Sequence, residues 1–571
     1  MNTSNETLEM LGQGPAAKEM VIRKALMDSF ATGGNPDVAG NVIANPFFGD
    51  RFSKMAGGFP QLNLSAGALQ EMTNAGFGTM ARELDAFSKS ITTATGLVAY
   101  DLQAPAKNLY PYFAPIRNVL PRVGGGVGTA TNWRQVNSIT GSGFDNVAWV
   151  PEGQRAGRMS YSTSNKSASY VTLGEEDSLS YEALHAARTF EDLQATMAFR
   201  LLQKMMMKEE MALLGGNATM SLATPTAPTL STATVTGTAL PSSTYYVQVA
   251  ALTIEGWNNA QRSLAAPLTV GTVINQTGAD GKSFMINGGT GLISNLSSGQ
   301  ASGGNALTMT TPAVPGAVGY AWFIGTTNSA GTGRLQAVTT INSYVQVPAL
   351  NTTGQLASTL TADYSTNPNY GFDGLLTTAL KTGSGAYVNV MATGTAGTGT
   401  GLTASGRGSV NEIDQMFQTM WDTVKLSPTV LYVNSQELKN ITSKVMLGSG
   451  NASLLRYDAP ADGGSYQDLI AGGVISQYYN PFAPPDAGMR IPVRIHDKIP
   501  PGTILGWAQN LPVQYQSNEV PNVAEVKTRQ DYYQIDWPII TRERGIGVYA
   551  EEVLAVYAPF AMGVITNIGN A

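Results

Sequence analysis

The chain has 571 residues, a net charge of −6 and an isoelectric point near 5.2. With no run of Lys or Arg, it is not built as a dedicated nucleic-acid binder and can offer nucleic acid only weak contact through scattered cations. Cysteine is absent, which excludes disulfides, thiolate nucleophiles and thiolate-bound zinc; charged residues make up only 13%, against roughly 25% in ordinary soluble domains, so the chain either hides much of its surface against neighbours or is a β-rich protein with many turns.

The length predicts two to four domains. The first residues, Met1-Asn-Thr-Ser-Asn-Glu-Thr7, lack the basic region and apolar run of a secretory signal, and no window is apolar for long enough to span a bilayer, so a soluble protein made inside the cell is expected. Residues 1–118 read as an extended arm, with a short helix near Ala16–Phe30 and breaks at Gly33-Gly34-Asn35-Pro36 and Gly57-Gly58-Phe59-Pro60. Such an arm has little core of its own and is expected to lie across something else.

Residues 119–175 read as a long polar hairpin. Trp133, Gln135 and Asn137 alternate with Arg134, Val136 and Ser138 before a Gly141-Ser-Gly143 turn. Val147-Ala-Trp149-Val150 is broken by Pro151, the polar stretch Glu152–Arg158 follows, and Ser160–Val171 is again extended. Two strands have no core to bury, so this excursion needs a partner surface. Glu175, Glu176 and Asp177 read as the solvated start of a helical region. Within 176–220 the main helix is predicted at Thr189–Leu214, about 40 Å long, with a start signal in Thr189 and Asp192. Phe190, Leu193, Met197, Leu201 and Met205 form its apolar stripe, and Gly215-Gly216 ends it. Met205–Met207 read as adaptable core filler.

From Ser221 to Leu360 the only charged residues are Glu255, Arg262, Asp280, Lys282 and Arg334. Strong strands are predicted at Thr244–Ala251, Gly319–Ile324 and Thr339–Val347, with turns at Asp280-Gly281 and Gly331–Gly333. This predicts an inserted all-β sandwich at 221–363, immunoglobulin-like or fibronectin-like, without a cysteine pair. The host resumes over 364–408. Beyond it, Ser409 and Glu412 form a capping box ahead of a helix bearing Val410, Ile413, Met416, Phe417, Met420, Trp421 and Val424. A strand at Thr429–Val433, a helix from Ser435 and strands at Ile491–Ile495 and Thr503–Leu505 follow. Gln530–Trp537 and Gly547–Ala550 read as a closing strand pair.

Chemistry is sparse. The two histidines, His185 and His496, read as structural or surface residues. Gly281-Lys282-Ser283 resembles the end of a phosphate loop, but Gln276 stands where the first Gly is needed and a strand follows, so it reads as a turn. Gly124–Gly128 and Gly394–Gly401 are loops. Glu175–Asp177 do not share a helix face as paired catalytic carboxylates would, and Asp458 and Asp462 do not match a calcium loop. No enzyme, cofactor or metal site is expected.

Taken in order, an arm, a long polar hairpin, a long helix, a mixed α/β domain and a closing strand pair resemble the major capsid proteins of tailed bacteriophages, whose Hong Kong 97-like fold is also used by encapsulins. The resemblance rests on Phe190-Glu-Asp-Leu193 through Glu209-Glu-Met-Ala-Leu-Leu-Gly-Gly-Asn217, on Ile491-Pro-Val493 with Ile499-Pro-Pro-Gly-Thr-Ile-Leu-Gly506, and on Asp531–Trp537 with Gly547–Glu551. It implies an α+β chain: N-terminal arm 1–118, extended loop 119–175, peripheral domain with spine helix 176–220, β insertion 221–363, return to the peripheral domain 364–408, axial domain 409–520 and closing peripheral strands 521–571. It further implies self-assembly as hexamers and pentamers into an icosahedral virion shell around double-stranded DNA, with portal, scaffold and decoration proteins as partners, no membrane, and synthesis in the bacterial host's cytoplasm. The extended loop would overlie a neighbouring subunit, making Trp149, Glu152, Arg155, Arg158 and Lys166 candidate intersubunit contacts. Some family members join subunits through a Lys–Asn isopeptide bond, and Lys166 is a lysine of this loop. Many lose an N-terminal segment to a protease; here the arm is expected to be kept and to brace neighbours. The insertion departs from the minimal family pattern, and its role as a site for decoration, glycan or neighbour contact stays open. An encapsulin-like compartment and a bacterial surface or adhesin protein are the alternatives.

Overall fold

The computed structural model describes residues 111–140, 149–188, 192–234, 240–301, 305–347, 349–405, 408–446, 475–483, 489–511, 522–539 and 541–570. The helix expected near Ala16–Phe30, the arm's Gly/Pro breaks and the Asp458/Asp462 turn lie outside them.

Strands Ala524–Asp536 and Glu543–Val556 pair antiparallel and run well beyond the closing pair predicted from sequence. Val171–Ser180 pairs antiparallel with the second of them, and the short strand Arg122–Val123 pairs parallel with the first. Glu175, Glu176 and Asp177 therefore sit in a strand, not at a helix start. The two glutamates are held by partners distant in sequence, Glu175 by Lys208 and Glu176 by the Tyr549 hydroxyl. Long-range pairing overrides the local signal here. The helix begins only at Tyr181–Ala187, where Ser180 Oγ accepts from Ala183 N at 3.3 Å.

The long helix runs Leu193–Gly215, about 35 Å. Asp192 is its N-cap, accepting from Gln194 N and Ala195 N; Thr189, Phe190 and Glu191 lie outside the described residues. Met197 and Leu201 pack on Ile546 and Val548 of the four-stranded sheet. At the other end Gly215 meets the insertion, and a Cβ there would lie 2.7 Å from Ile254 Cγ2.

The insertion holds two larger antiparallel sheets and a separate two-stranded pair. In one, Ser297–Ala301, Ser243–Leu252, Gly319–Gly325 and Arg334–Thr339 are adjacent in that order, with Thr290–Ile293 also on Ser243–Leu252; in the other, Ser343–Gln346, Asn305–Thr310 and Thr229–Thr234. The strand predicted at Thr339–Val347 is thus two strands in different sheets. Asn342 turns the chain between them by giving its amide to Thr311 O and Thr393 Oγ1. Tyr245, Val247, Val249, Trp322 and Ile324 share one core with Leu307 and Met309 of the second sheet, and Trp322 stacks on Tyr344. Ala250, Leu252, Ala321 and Phe323 share another with Leu268, Val270 and Leu360. Burial on both faces explains the near-continuous apolar run of Gly319–Gly325. Gly281, at φ 75°, makes the turn between Val273–Thr277 and Ser283–Asn287.

The remaining sheet has six strands in the order Tyr387–Val390, Met562–Thr566, Ile504–Trp507, Val430–Val433, Arg490–Ile495 and Gln477–Tyr479. Met562–Thr566, in the segment assigned from sequence to the closing peripheral strands, pairs here instead, with every one of its residues buried. Helix Asn411–Val424 buries Ile413, Met416, Phe417 and Met420. Its capping box does not form: Val410 is the N-cap, Ser409 Oγ donates to Asp414 Oδ2 at 2.6 Å, and Glu412 accepts from Thr403 N at 2.9 Å. Two of the ties between the insertion and the host are these. At its neck Asn217 Nδ2 donates to Met220 O and Ser365 O, and Asp373 accepts from Ala218 N and Thr219 N. Farther out, Asn567 Oδ1 accepts from Asn342 N at 2.9 Å, while Asn567 Nδ2 donates to Asn342 Oδ1 and Met391 O.

Candidate assembly hairpin and its root

Strands Ala130–Thr140 and Ser160–Ser169 form a two-stranded antiparallel ribbon. Among the described residues no third strand joins it. Its side chains are mostly Ser, Thr and Asn, and Arg134 reaches across to Thr163 Oγ1 at 3.0 and 3.1 Å. Beyond the strands, residues 149–159 are all exposed; Trp149 stands 90% exposed, with Val150, Met159 and Tyr161 exposed nearby. Gly153, at φ 78°, shapes the bend with a Gln154 N to Pro151 O hydrogen bond of 3.1 Å. Trp149, Glu152, Arg155 and Arg158 thus share one exposed bend. Lys166 lies apart from them, exposed on the returning strand opposite Trp133.

The root is built differently. The glycine loop 124–128 lets the chain pass close to Tyr170, where a Cβ on Gly126 would collide with the ring, and Gly126 N donates to Thr528 O. Tyr170 N donates to Thr129 O, Arg529 Nη1 to Gly128 O, and Trp133 packs edge-on against Tyr557 at 5.4 Å. Just before the root, the turn 114–119 is held by consecutive glutamates of the long helix. Glu210 accepts from Ile116 N at 2.9 Å and Arg117 N at 2.7 Å. Glu209 binds Arg117 Nε at 2.9 Å, Arg122 and the Tyr532 hydroxyl. Arg122 also reaches Asp531 and Glu552, each at 2.8 Å, and both guanidiniums lie over the Tyr532 ring. His496 is fully buried; its Nδ1 accepts from Lys498 N at 3.2 Å, which leaves Nε2–H to donate to Glu210 Oε1 at 2.6 Å. Burial lowers the pKa of the Arg122 guanidinium, but Glu209, Glu552 and Asp531 together outweigh it and raise the net value.

Sequence reading missed this cluster, although a signal was present. Glu209 follows Met197, Leu201 and Met205 at four-residue spacing and precedes Leu213, so it occupies the apolar stripe of the helix. A carboxylate there requires a buried cation. Among the described residues, no cluster of His, Asp and Glu is arranged to hold a metal ion, and no helix is long and apolar enough to cross a membrane.

No family model and no curated protein matches the chain. Its structure is similar to the capsid of a native GTA particle, at 9% identity and a TM-score of 0.38 over 83% of this chain and 96% of the other. It is also similar to the capsid of cyanophage A-1(L), at 10% identity and a TM-score of 0.38 over 84% of this chain and 99% of that one. A third such structure is the capsid of the Myoviridae phage XM1, at 10% identity and a TM-score of 0.35 over 84% and 99%.

Proposed function

We propose that the chain is the major capsid protein of a tailed bacteriophage, with a Hong Kong 97-like fold, assembling with copies of itself into an icosahedral head shell. The observation that carries this reading is the hairpin, a ribbon from Ala130 to Ser169 that no third strand joins among the described residues and whose bend exposes Trp149 almost completely. Two strands of this kind are marginal alone. Laid on a neighbouring subunit, the ribbon covers its aromatic and orders its bend, so docking is coupled to subunit addition. Trp149 supplies apolar contact, while Glu152, Arg155 and Arg158 set register more than affinity, because desolvating a charge offsets much of what its partner returns. Lys166, near the root, is a secondary contact.

On this reading the shell encloses double-stranded DNA through weak, non-specific contacts, and portal, scaffold and decoration proteins are further partners. The protein is structural, not enzymatic; it is made in the host cytoplasm and resides in the virion. The insertion is an immunoglobulin-like sandwich on the outer surface. Negative-stain electron microscopy of the protein, expressed alone and with the proteins encoded beside it, tests the reading. Closed shells or ring-shaped capsomers are expected; monodisperse monomers under both conditions would remove it.

A further inference from the structure

The cluster below the hairpin root is unbalanced in charge. From the segment 114–123 come Arg117 and Arg122, and from the long helix Glu209 and Glu210. Strand Ala524–Asp536 adds Asp531 and Tyr532, and strand Glu543–Val556 adds Glu552. His496 closes the far side against the ring of Tyr432, with Asp497 3.8 Å from its outer nitrogen. Two guanidiniums face three carboxylates directly, buried Glu209 and Glu552 and half-exposed Asp531, while Glu210 is taken by the backbone N–H groups of Ile116 and Arg117 and by His496. Glu552 Oε2 takes Arg122, but its Oε1 is buried without a hydrogen-bond partner. A neutral carboxyl tolerates that position far better than a carboxylate does.

We propose that this cluster is a proton-linked joint: Glu552 holds a proton while the segment 114–123 is docked, and removing that proton loosens the segment and the hairpin root that follows it. Burial, and next the charge of Glu209, hold the Glu552 carboxyl up at about 8 against the pull of Arg122. Because the folded value lies above the unfolded one, the stabilisation is complete below the ordinary carboxylate range. It is lost as pH rises from that range through about 8.

The test is urea unfolding of the full-length, unassembled chain over about pH 5 to 9, beside Glu552→Gln, which keeps an acceptor for Arg122 and cannot ionise. For one linked proton the wild-type unfolding constant is expected to rise up to about tenfold per pH unit relative to the variant, until about pH 8. Hydrogen exchange of 114–123 and of the strand ends at 130–133 and 167–169, corrected for intrinsic rates, is expected to accelerate over the same window in the wild type alone. Parallel pH profiles for the two proteins would overturn the proposal. Should Glu552→Gln not fold, proton uptake during refolding near pH 7 of Glu255→Gln, which removes the other buried carboxyl held up to about 7, decides when read with an indicator dye: uptake of about one proton per chain supports the joint, and none overturns it. Since unassembled subunits are used, the outcome is independent of whether shells form.

Discussion

The hairpin and the insertion are both β excursions from one host, yet only the insertion is finished within the single chain. The hairpin keeps two strands of small polar residues and leaves Trp149 in solvent. The insertion buries Trp322, Phe323 and Tyr245 between and behind its sheets, and is fastened by the neck asparagine and aspartate and by the Asn342–Asn567 pair. Two strands offer one polar face to each side, whereas two stacked sheets make an interior. An excursion with its own interior is stable as a monomer; one without it stays open to a partner.

The sharpest way to break this comparison is Trp322→Ala. The side chain is fully buried, stacks on Tyr344 and donates Nε1–H to Thr339 Oγ1, so its loss should cost about 3–5 kcal/mol. The core containing Trp322 is continuous with Leu213 and Leu214 of the long helix and Trp507 of the six-stranded sheet. A single, lowered melting transition is therefore expected by calorimetry. A separate early transition, with the rest unmoved, would make the insertion an independent module.

A smaller change tests the fastening alone. Asn342→Ala leaves Thr311 O and the Asn567 amide short of partners in a buried place, at a cost of about 1–3 kcal/mol in denaturant unfolding. Asn567 has φ 62°, a left-handed conformation. Asn567→Ala should then be worse than Asn567→Gly by roughly 1 kcal/mol, because Gly loses the hydrogen bonds without the backbone strain. Equal costs for the two would show that the conformation adds nothing to the fastening.

What could be read from the sequence follows the same division. The hairpin strands were visible because their alternation is local, and Ser243–Leu252 and Gly319–Gly325 because burial on both faces leaves a dense apolar run. Features set by distant partners were not. Glu175–Asp177 look helical until strand Glu543–Val556 is laid beside them. Ser409 and Glu412 look like a capping pair until Asp414 and Thr403 claim them. The root cluster draws on residues from 117 to 552, and only Glu209, out of place on an apolar stripe, hinted at it. The exposed candidates Trp149, Glu152, Arg155 and Arg158 were legible because one polar, proline-broken stretch contains them all.

The smallest expected effects on the isolated chain lie in that stretch. Arg155 is exposed on a bend whose described residues, 149–159, are all exposed, so Arg155→Glu should shift unfolding by no more than about 0.5 kcal/mol. Its consequence should appear between subunits. If the bend docks as proposed, reversing one charge there places like charges together or leaves a carboxylate unpaired, so sedimentation should show folded but unassembled subunits. Normal shells from this variant would mean that the bend is not the contact. Lys166→Arg is expected to change neither stability nor assembly, and the wild-type protein should run as a clean monomer band after boiling in detergent. Lys166 sits opposite Trp133, close to the root and away from the bend proposed to meet the neighbour, where a covalent weld would have to reach across. A ladder of boiling-resistant multimers, abolished by Lys166→Arg, would place the root as well as the bend against the next subunit.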